Sequence, residues 1–427
     1  MELPHAFYIV FFFLLGSCVG SFLNVVVWRL PQVEEVEGEG LFRGFYRGWQ
    51  ALSSPPSHCP KCGNLLKWYD NLPVIGWIKL NGKCRFCKAP ISARYPIMEA
   101  ITGLLFVLYY VAFFMIGIGP CLQRMTPEGY ARYLAAPLVI NVHWPIYAID
   151  VILVSALLAA SLIDAELFII PLGIPWFVVP LALLVHATWD RPGWPGALSP
   201  TPTAAALAAG AGLGTVISFL LLWLGVLPLS FSEGEPMLEA DKAKLTSEDE
   251  PPPEFTPAEI RTEMRKEMLF LLPPLILGFA SAFLIWKVPA AERAWTSIAS
   301  IGWVGGLLGS VLGLLVGGFV VWFTRIAGSY AFGREAMGMG DVHLMAAVWA
   351  VLGPGPATVA FFLAPFFGMG LALYLLLLGK RREVPYGPYL SLAAAFVMLF
   401  YCPIANYLSP GVSGLAEMLS QLLHGGR

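Results

Sequence analysis

Residues 146–166 read IYAIDVILVSALLAASLIDAE. From Ile146 to Ile163 the only charged residue is Asp150, and the run then meets Asp164 and Glu166. A bilayer is crossed by roughly 20 apolar residues, so this stretch reads as a membrane span that carries a carboxylate at its end. Similar apolar runs recur along the 427 residues, at 6–28, 97–118, 168–187, 204–229, 268–287, 298–325, 342–353, 356–379 and 388–408. The composition agrees, being 57% hydrophobic and only 13% charged, where a soluble chain carries about 25% charged residues. The expected fold is an all-α polytopic membrane protein of about ten transmembrane helices. The eighth run is short and is ended by Gly353-Pro354-Gly355-Pro356, which reads as a tight turn into the next. A net charge of −2 gives no footprint for nucleic acid.

The loops set the orientation. Residues 29–96 hold Arg29, Arg43, Arg47, Lys61, Lys67, Lys79, Lys83, Arg85, Lys88 and Arg94, and the last loop holds Lys380, Arg381 and Arg382. Arg325 and Arg334 precede Asp341. Basic loops stay cytoplasmic. Alternation through the spans puts these loops and 230–267 on that side, with both termini outward. Leu15-Gly16-Ser17-Cys18 has the look of a lipoprotein cleavage box, but no Lys or Arg precedes the apolar run and it continues to Trp28. A retained first helix is expected.

The expected organisation is a first helix at 1–28, a cytoplasmic module at 29–96, helices at 97–190, a segment with two helices and an acidic linker at 191–296, helices at 297–408, and a tail at 409–427. Within 231–255 the run Glu248-Asp249-Glu250-Pro251-Pro252-Pro253 cannot bury enough apolar surface to fold. Thr256-Pro257-Ala258-Glu259 then reads as a capping box with proline at the first helical position. The Ala- and Gly-rich stretch 205–214 suits close helix packing.

Four of the seven cysteines form Cys59-Pro60-Lys61-Cys62 and Cys84-Arg85-Phe86-Cys87, with residues 63–83 between the pairs. Two turns that each supply two thiolates make a closed tetrahedral zinc site, structural because no coordination position stays open. His58 is then a surface residue. Cys18, Cys121 and Cys402 read as buried thiols.

Asp164 and Asp341 are carboxylates at the ends of spans, placed by the topology at one depth on the cytoplasmic side. An intramembrane carboxylate is costly, about 2.5–3.5 kcal/mol on insertion scales, and so marks a functional site. Two carboxylates that meet cannot both ionise easily; one keeps a proton while the other activates water, which is the acid and base that a peptide bond requires. Gly338 and Gly340 leave room for another backbone beside Asp341 and allow turn geometry. Asp150 has the wrong depth and is expected to be an outward interfacial residue.

These motifs together resemble the type IV prepilin peptidase family. The resemblance rests on Gly20-Ser21-Phe22-Leu23-Asn24 running to Arg29-Leu30-Pro31, the four cysteines, Asn71-Leu72-Pro73-Val74-Ile75-Gly76-Trp77, Gly82-Lys83-Cys84-Arg85, and Ile91 to Pro96 with Glu99. It continues in Leu162-Ile163-Asp164, Glu335-Ala336-Met337-Gly338-Met339-Gly340-Asp341-Val342, and Val384-Pro385-Tyr386-Gly387-Pro388-Tyr389-Leu390. It covers roughly 6–190 and 297–408. It implies an eight-helix core plus two inserted helices in the bacterial inner membrane. It also implies that Asp164 and Asp341 cut prepilin or pseudopilin leaders after a glycine, in pilus or type II secretion systems. S-adenosylmethionine-dependent N-methylation would follow; its binding residues are not assigned. Two departures stand out. Ile170-Pro171-Leu172 lacks a carboxylate that the family often has, and His343 replaces a lysine. Competing readings are a presenilin-like intramembrane protease, an ion-coupled carrier and a non-enzymatic membrane scaffold. The zinc loop speaks against the first, and the lack of an internal repeat against the second.

Overall fold

A computed structural model describes residues 4–33, 41–53, 56–125, 131–191, 193–231, 255–377 and 385–424. Lys380, Arg381, Arg382, Val384 and linker residues 232–254 lie outside them. The chain divides into two compact units. One comprises 1–178, 193–196 and 362–427; the other comprises 179–192 and 197–361.

In the first unit, α1 (His5–Arg29) is an apolar rod without an internal charge. It packs along α4 (Arg94–Tyr110), which continues as a π-helical turn, Val111–Ile116. The approach is close at Gly20, where a Cβ would lie 2.8 Å from Glu99 Cα and 2.9 Å from the Met98 carbonyl. Helix α5 (Ile140–Leu167) joins this pair through the Tyr147 hydroxyl, which donates to the Phe106 carbonyl at 2.8 Å. The last helix, Gly387–His424, is tied to α4 by the Tyr109 hydroxyl donating to Ala395 O at 2.9 Å. It passes beyond 408, where a tail was expected to begin, with a kink at Phe400. Between α4 and α5 lies a short antiparallel hairpin, β1 (Leu122–Met125) and β2 (Ala131–Leu134). Between α1 and α4 the polar module carries α2 (Leu41–Ser53) and α3 (Ile75–Lys79).

In the second unit, α7 (Pro202–Trp223) packs tightly on α8 (Pro257–Lys287). The small residues of 205–214 make this possible, since a Cβ at Gly214 would overlap the backbone of Pro273 and Pro274. Helix α8 opens on the expected capping box: Thr256 Oγ1 accepts from the Glu259 amide, and the Glu259 carboxylate accepts from the Thr256 amide at 2.7 Å. Its apolar span, from Met268, follows a polar first third of the 31-residue helix. The flanks of the acidic stretch are anchored: the Phe231 and Phe255 rings meet edge to face at 5.5 Å, and the Phe231 amide donates to Glu263 at 2.6 Å. A short amphipathic helix, α9 (Pro289–Ala299), follows the two helices expected in 191–296. Helix α10 (Gly302–Phe332) then pairs with α11 (Met339–Leu352), with Ser310 Oγ donating to Ala350 O at 2.7 Å.

Helix α6 (Gly173–Trp189) and α12 (Pro354–Leu377) each contribute to both units. Each expected span falls on a helix. Among the described residues, seven helices are long and apolar enough to cross a bilayer, while α6 and α11 are shorter apolar helices. The chain is thus an all-α polytopic membrane protein with a small hairpin.

Candidate active site and metal centre

The module between α1 and α4 contains two copies of one turn. In the first, the Cys59 amide donates to Asn64 O at 3.0 Å and the Gly63 amide returns to Cys59 O at 2.9 Å. In the second, the Cys84 amide donates to Ala89 O at 2.8 Å and the Lys88 amide to Cys84 O at 3.1 Å. The residue after the second cysteine of each pair is left-handed, Gly63 at φ 69° and Lys88 at φ 57°. The turns bring all four sulfurs within 4.8 Å of one another, with Cys59–Cys87 at 3.8 Å and Cys62–Cys84 at 4.0 Å. Zinc–sulfur bonds of about 2.3 Å in a tetrahedron put sulfurs about 3.8 Å apart, so the cluster fits a structural zinc ion. The Asn64 backbone and side-chain amides lower the Cys62 thiol to about 6. The Cys87 and Phe86 amides lower Cys84. At Cys87 the Ala89 amide also pulls downward, but burial and the neighbouring sulfurs outweigh it and push the thiol up to about 11. Cys87 therefore keeps its proton in the metal-free cluster at neutral pH, and a divalent cation would displace it. His58 is exposed, as expected.

Two contacts that the sequence did not reveal hold this module. Buried Asp70 pairs with the Arg85 guanidinium, whose Nε donates at 2.8 Å, and this arginine holds the Asp70 carboxyl below the usual carboxylate range. The pair fastens the turn Trp68–Asp70 to the second cysteine turn. Buried Glu99 of α4 accepts the Val74 amide at 2.6 Å, and Val74 is held at φ 60°, a strained value for a β-branched residue. The module is thereby clasped to the membrane helices.

Asp164 lies in the last turn of α5, which runs a turn further than expected and is capped by left-handed Phe168. Its side chain is buried. Oδ2 accepts the Gly387 amide at 3.0 Å, and a Cβ at Gly387 would stand 2.6 Å from that oxygen and 3.0 Å from Ile170 Cδ1. Only glycine lets the amide come so close. Glu166, in the same turn, is exposed and pairs with Arg94 at the start of α4 at 2.6 Å. Asp164 therefore sits at the end of the first unit from which the cysteine module emerges.

Asp341 lies in the second unit, buried in the first turn of α11, whose N-cap is Gly338. Gly338 has ordinary extended backbone, φ −67° and ψ 149°, so turn geometry does not demand glycine there. A Cβ at Gly338 would lie 3.7 Å from Asp341 Oδ2 and otherwise meet only the Gly340 amide, at 4.0 Å. The space beside it is open. His343 is half-buried on the same helix.

Two sequence expectations are corrected. Asp150 is not an outward interfacial residue but is 4% exposed, because neighbouring helices pack over α5. Cys18 is exposed on α1, whereas Cys121 and Cys402 are buried.

Residues 14–113 match the family model described as the bacterial peptidase A24 N-terminal domain. A prepilin leader peptidase/N-methyltransferase of Klebsiella pneumoniae is 34% identical over 213 residues, half of this chain and 71% of that protein. One from Myxococcus xanthus is 36% identical over 176 residues, but the match spans only 39% of that relative and 41% of this chain. One from Aeromonas hydrophila is 24% identical over 414 residues, 94% of each chain. No solved structure matches.

Proposed function

Because the chain belongs to the prepilin leader peptidase/N-methyltransferase family, we propose that it is a membrane aspartic endopeptidase that removes leader peptides from prepilin-like proteins, with Asp164 and Asp341 as its acid and base. The observation that carries the reading is the placement of both aspartates: each is buried at a helix end, one against a backbone amide and the other beside an open glycine.

The helix ends suggest the division of labour. The first turn of a helix favours a negative side chain, and the last turn disfavours one. Asp341 in the first turn of α11 is suited to stay charged and take a proton from water. Asp164 in the last turn of α5 is suited to hold the proton, with which it hydrogen-bonds the scissile carbonyl and which it then gives to the leaving amine. The Gly387 amide fixes the Asp164 carboxylate so that its other oxygen can carry that proton. An extended substrate would lie along the open side of Gly338. The titration belongs to the pair, not to either residue.

The proposed topology has ten passes through a bacterial inner membrane, with the cysteine module and both aspartates at the cytoplasmic face. The basic 29–96 loop and the position of Asp164 at the module end of its unit support it. N-methylation of the new terminus from S-adenosylmethionine is proposed from the family alone. No described residues identify the donor's site, and the module with the Glu99 clasp is the proposed place.

The test is co-expression with a prepilin-like substrate in membranes, reading substrate size and N-terminal mass. The chain should shorten the substrate and then add one methyl. Unchanged substrate across several leaders would favour the non-enzymatic scaffold.

A further inference from the structure

Arg325 of α10 is 2% exposed, and all three of its guanidinium nitrogens are engaged. Nη1 donates to both carboxylate oxygens of Glu267, at 2.5 and 2.6 Å. Nη2 donates to Glu335 Oε1 at 2.7 Å, and Nε donates to the Met337 carbonyl at 2.9 Å. Glu267 also accepts the Trp322 indole N–H at 2.6 Å. Between the two residues Arg325 holds, the Ala336 amide donates to Ser329 Oγ at 3.0 Å. Three successive residues, 335–337, are thus each fastened to α10. Gly338 follows at once as the N-cap of α11, whose first turn carries Asp341.

Glu267 comes from α8, within the 191–296 segment that the family resemblance left without a role. It is buried, and Ile260, Met264, Leu271 and Ile326 form an apolar cluster on the same helices. A buried ion pair is seldom more stable than apolar residues of the same volume, so fold stability alone gives little reason to keep one. Here the arginine does more than pair. Glu267 occupies one arm of the guanidinium, and the other arm and Nε reach the loop. The carboxylate fixes the plane of the fork, and the fork fixes the loop.

We propose that the 191–296 segment sets the position of Asp341, with Glu267 and Arg325 as positioning residues for peptide cleavage. This rests on the reading of Asp341 as catalytic. Glu267→Gln keeps the shape but weakens the hold on the fork. It lowers kcat about tenfold or more, with KM within about twofold, because small displacements of a catalytic group are costly. The pH–rate profile moves with it, since the carboxylate of Asp341 changes its surroundings.

The test uses the full-length chain, purified in detergent, cleaving a prepilin-like peptide. Wild type is compared with Glu267→Gln, Glu335→Gln, the double variant Glu267→Leu with Arg325→Met, and Asp341→Asn. The double variant removes both buried charges, so it regains thermal stability but keeps the kcat loss, because only the Ser329 contact to the Ala336 amide then holds 335–337. Glu335 is partly exposed, so Glu335→Gln folds and shows a smaller kcat loss in the same sense. If the double variant cleaves at the wild-type rate, or if Glu267→Gln and Glu335→Gln keep kcat and pH profile per folded molecule, the inference is overturned. Cleavage by Asp341→Asn would instead remove the premise, which separates the two failures.

Discussion

The surroundings of Asp164 and Asp341 are built by opposite means. Asp164 is reached by one backbone amide, from Gly387, across 223 residues of chain. Its neighbours crowd it, and the glycine is required by contact. Asp341 follows a loop that three α10 hydrogen bonds hold in place, and the glycine before it faces open space. One aspartate is held by what touches it. The other is placed by what holds its backbone and leaves its side open. A peptidase needs both arrangements, because the acid must be fixed and the base must face water and an extended substrate.

That contrast predicts different failures for two alanine substitutions. Gly387→Ala drives a methyl into the Asp164 carboxylate and should lower kcat on the order of a hundredfold. Gly338→Ala meets only an ordinary contact with Asp341 and should act mainly by raising KM, as the substrate's path narrows. Steady-state cleavage of a leader peptide separates the two, and equal kcat losses would break the comparison.

The metal centre should matter less to cleavage than either glycine. Cys59→Ser with Cys62→Ser should abolish methylation and zinc content while cleavage falls only several-fold, by the same mass readout. Equal loss of both activities would mean that the cysteine module supports the whole enzyme. The pH dependence of zinc retention follows from the thiols. In the metal-free cluster Cys62, lowered to about 6, is thiolate above that pH, while Cys87, raised to about 11, still holds a proton that zinc must displace. Zinc affinity should therefore rise with pH through the neutral range and fall more steeply below about 6, and chelator competition at several pH values measures it. The smallest effect belongs to Arg94 and Glu166. Their side chains are 43% and 52% exposed, and such a pair contributes about 0–1 kcal/mol. Arg94→Ala should leave cleavage within about twofold of wild type.

Much of this architecture is legible in the sequence wherever the information is local. Two Cys-x-x-Cys turns announce themselves by spacing, and Thr256 with Glu259 announces the start of α8. The apolar runs locate the helices, but a run of hydropathy does not see where a helix ends. Hence the extra turn carrying Asp164 lay beyond the expected span. What the sequence hides is pairing at a distance. Nothing near Arg325 marks Glu267, 58 residues earlier, as its partner, and nothing near Gly387 points to Asp164. Asp150 fails for a related reason, since its burial depends on neighbouring helices and not on its place in the run.

The central claim is that Asp164 and Asp341 act as one catalytic unit. The most direct measurement is the cleavage rate of the purified chain for wild type, Asp164→Asn, Asp341→Asn and the double variant. Each single change should cost about 10²–10⁴-fold, and the double should be no slower than the worse single, because groups that act together are not additive. Near-wild-type cleavage by either single variant, or losses that multiply in the double, would contradict it.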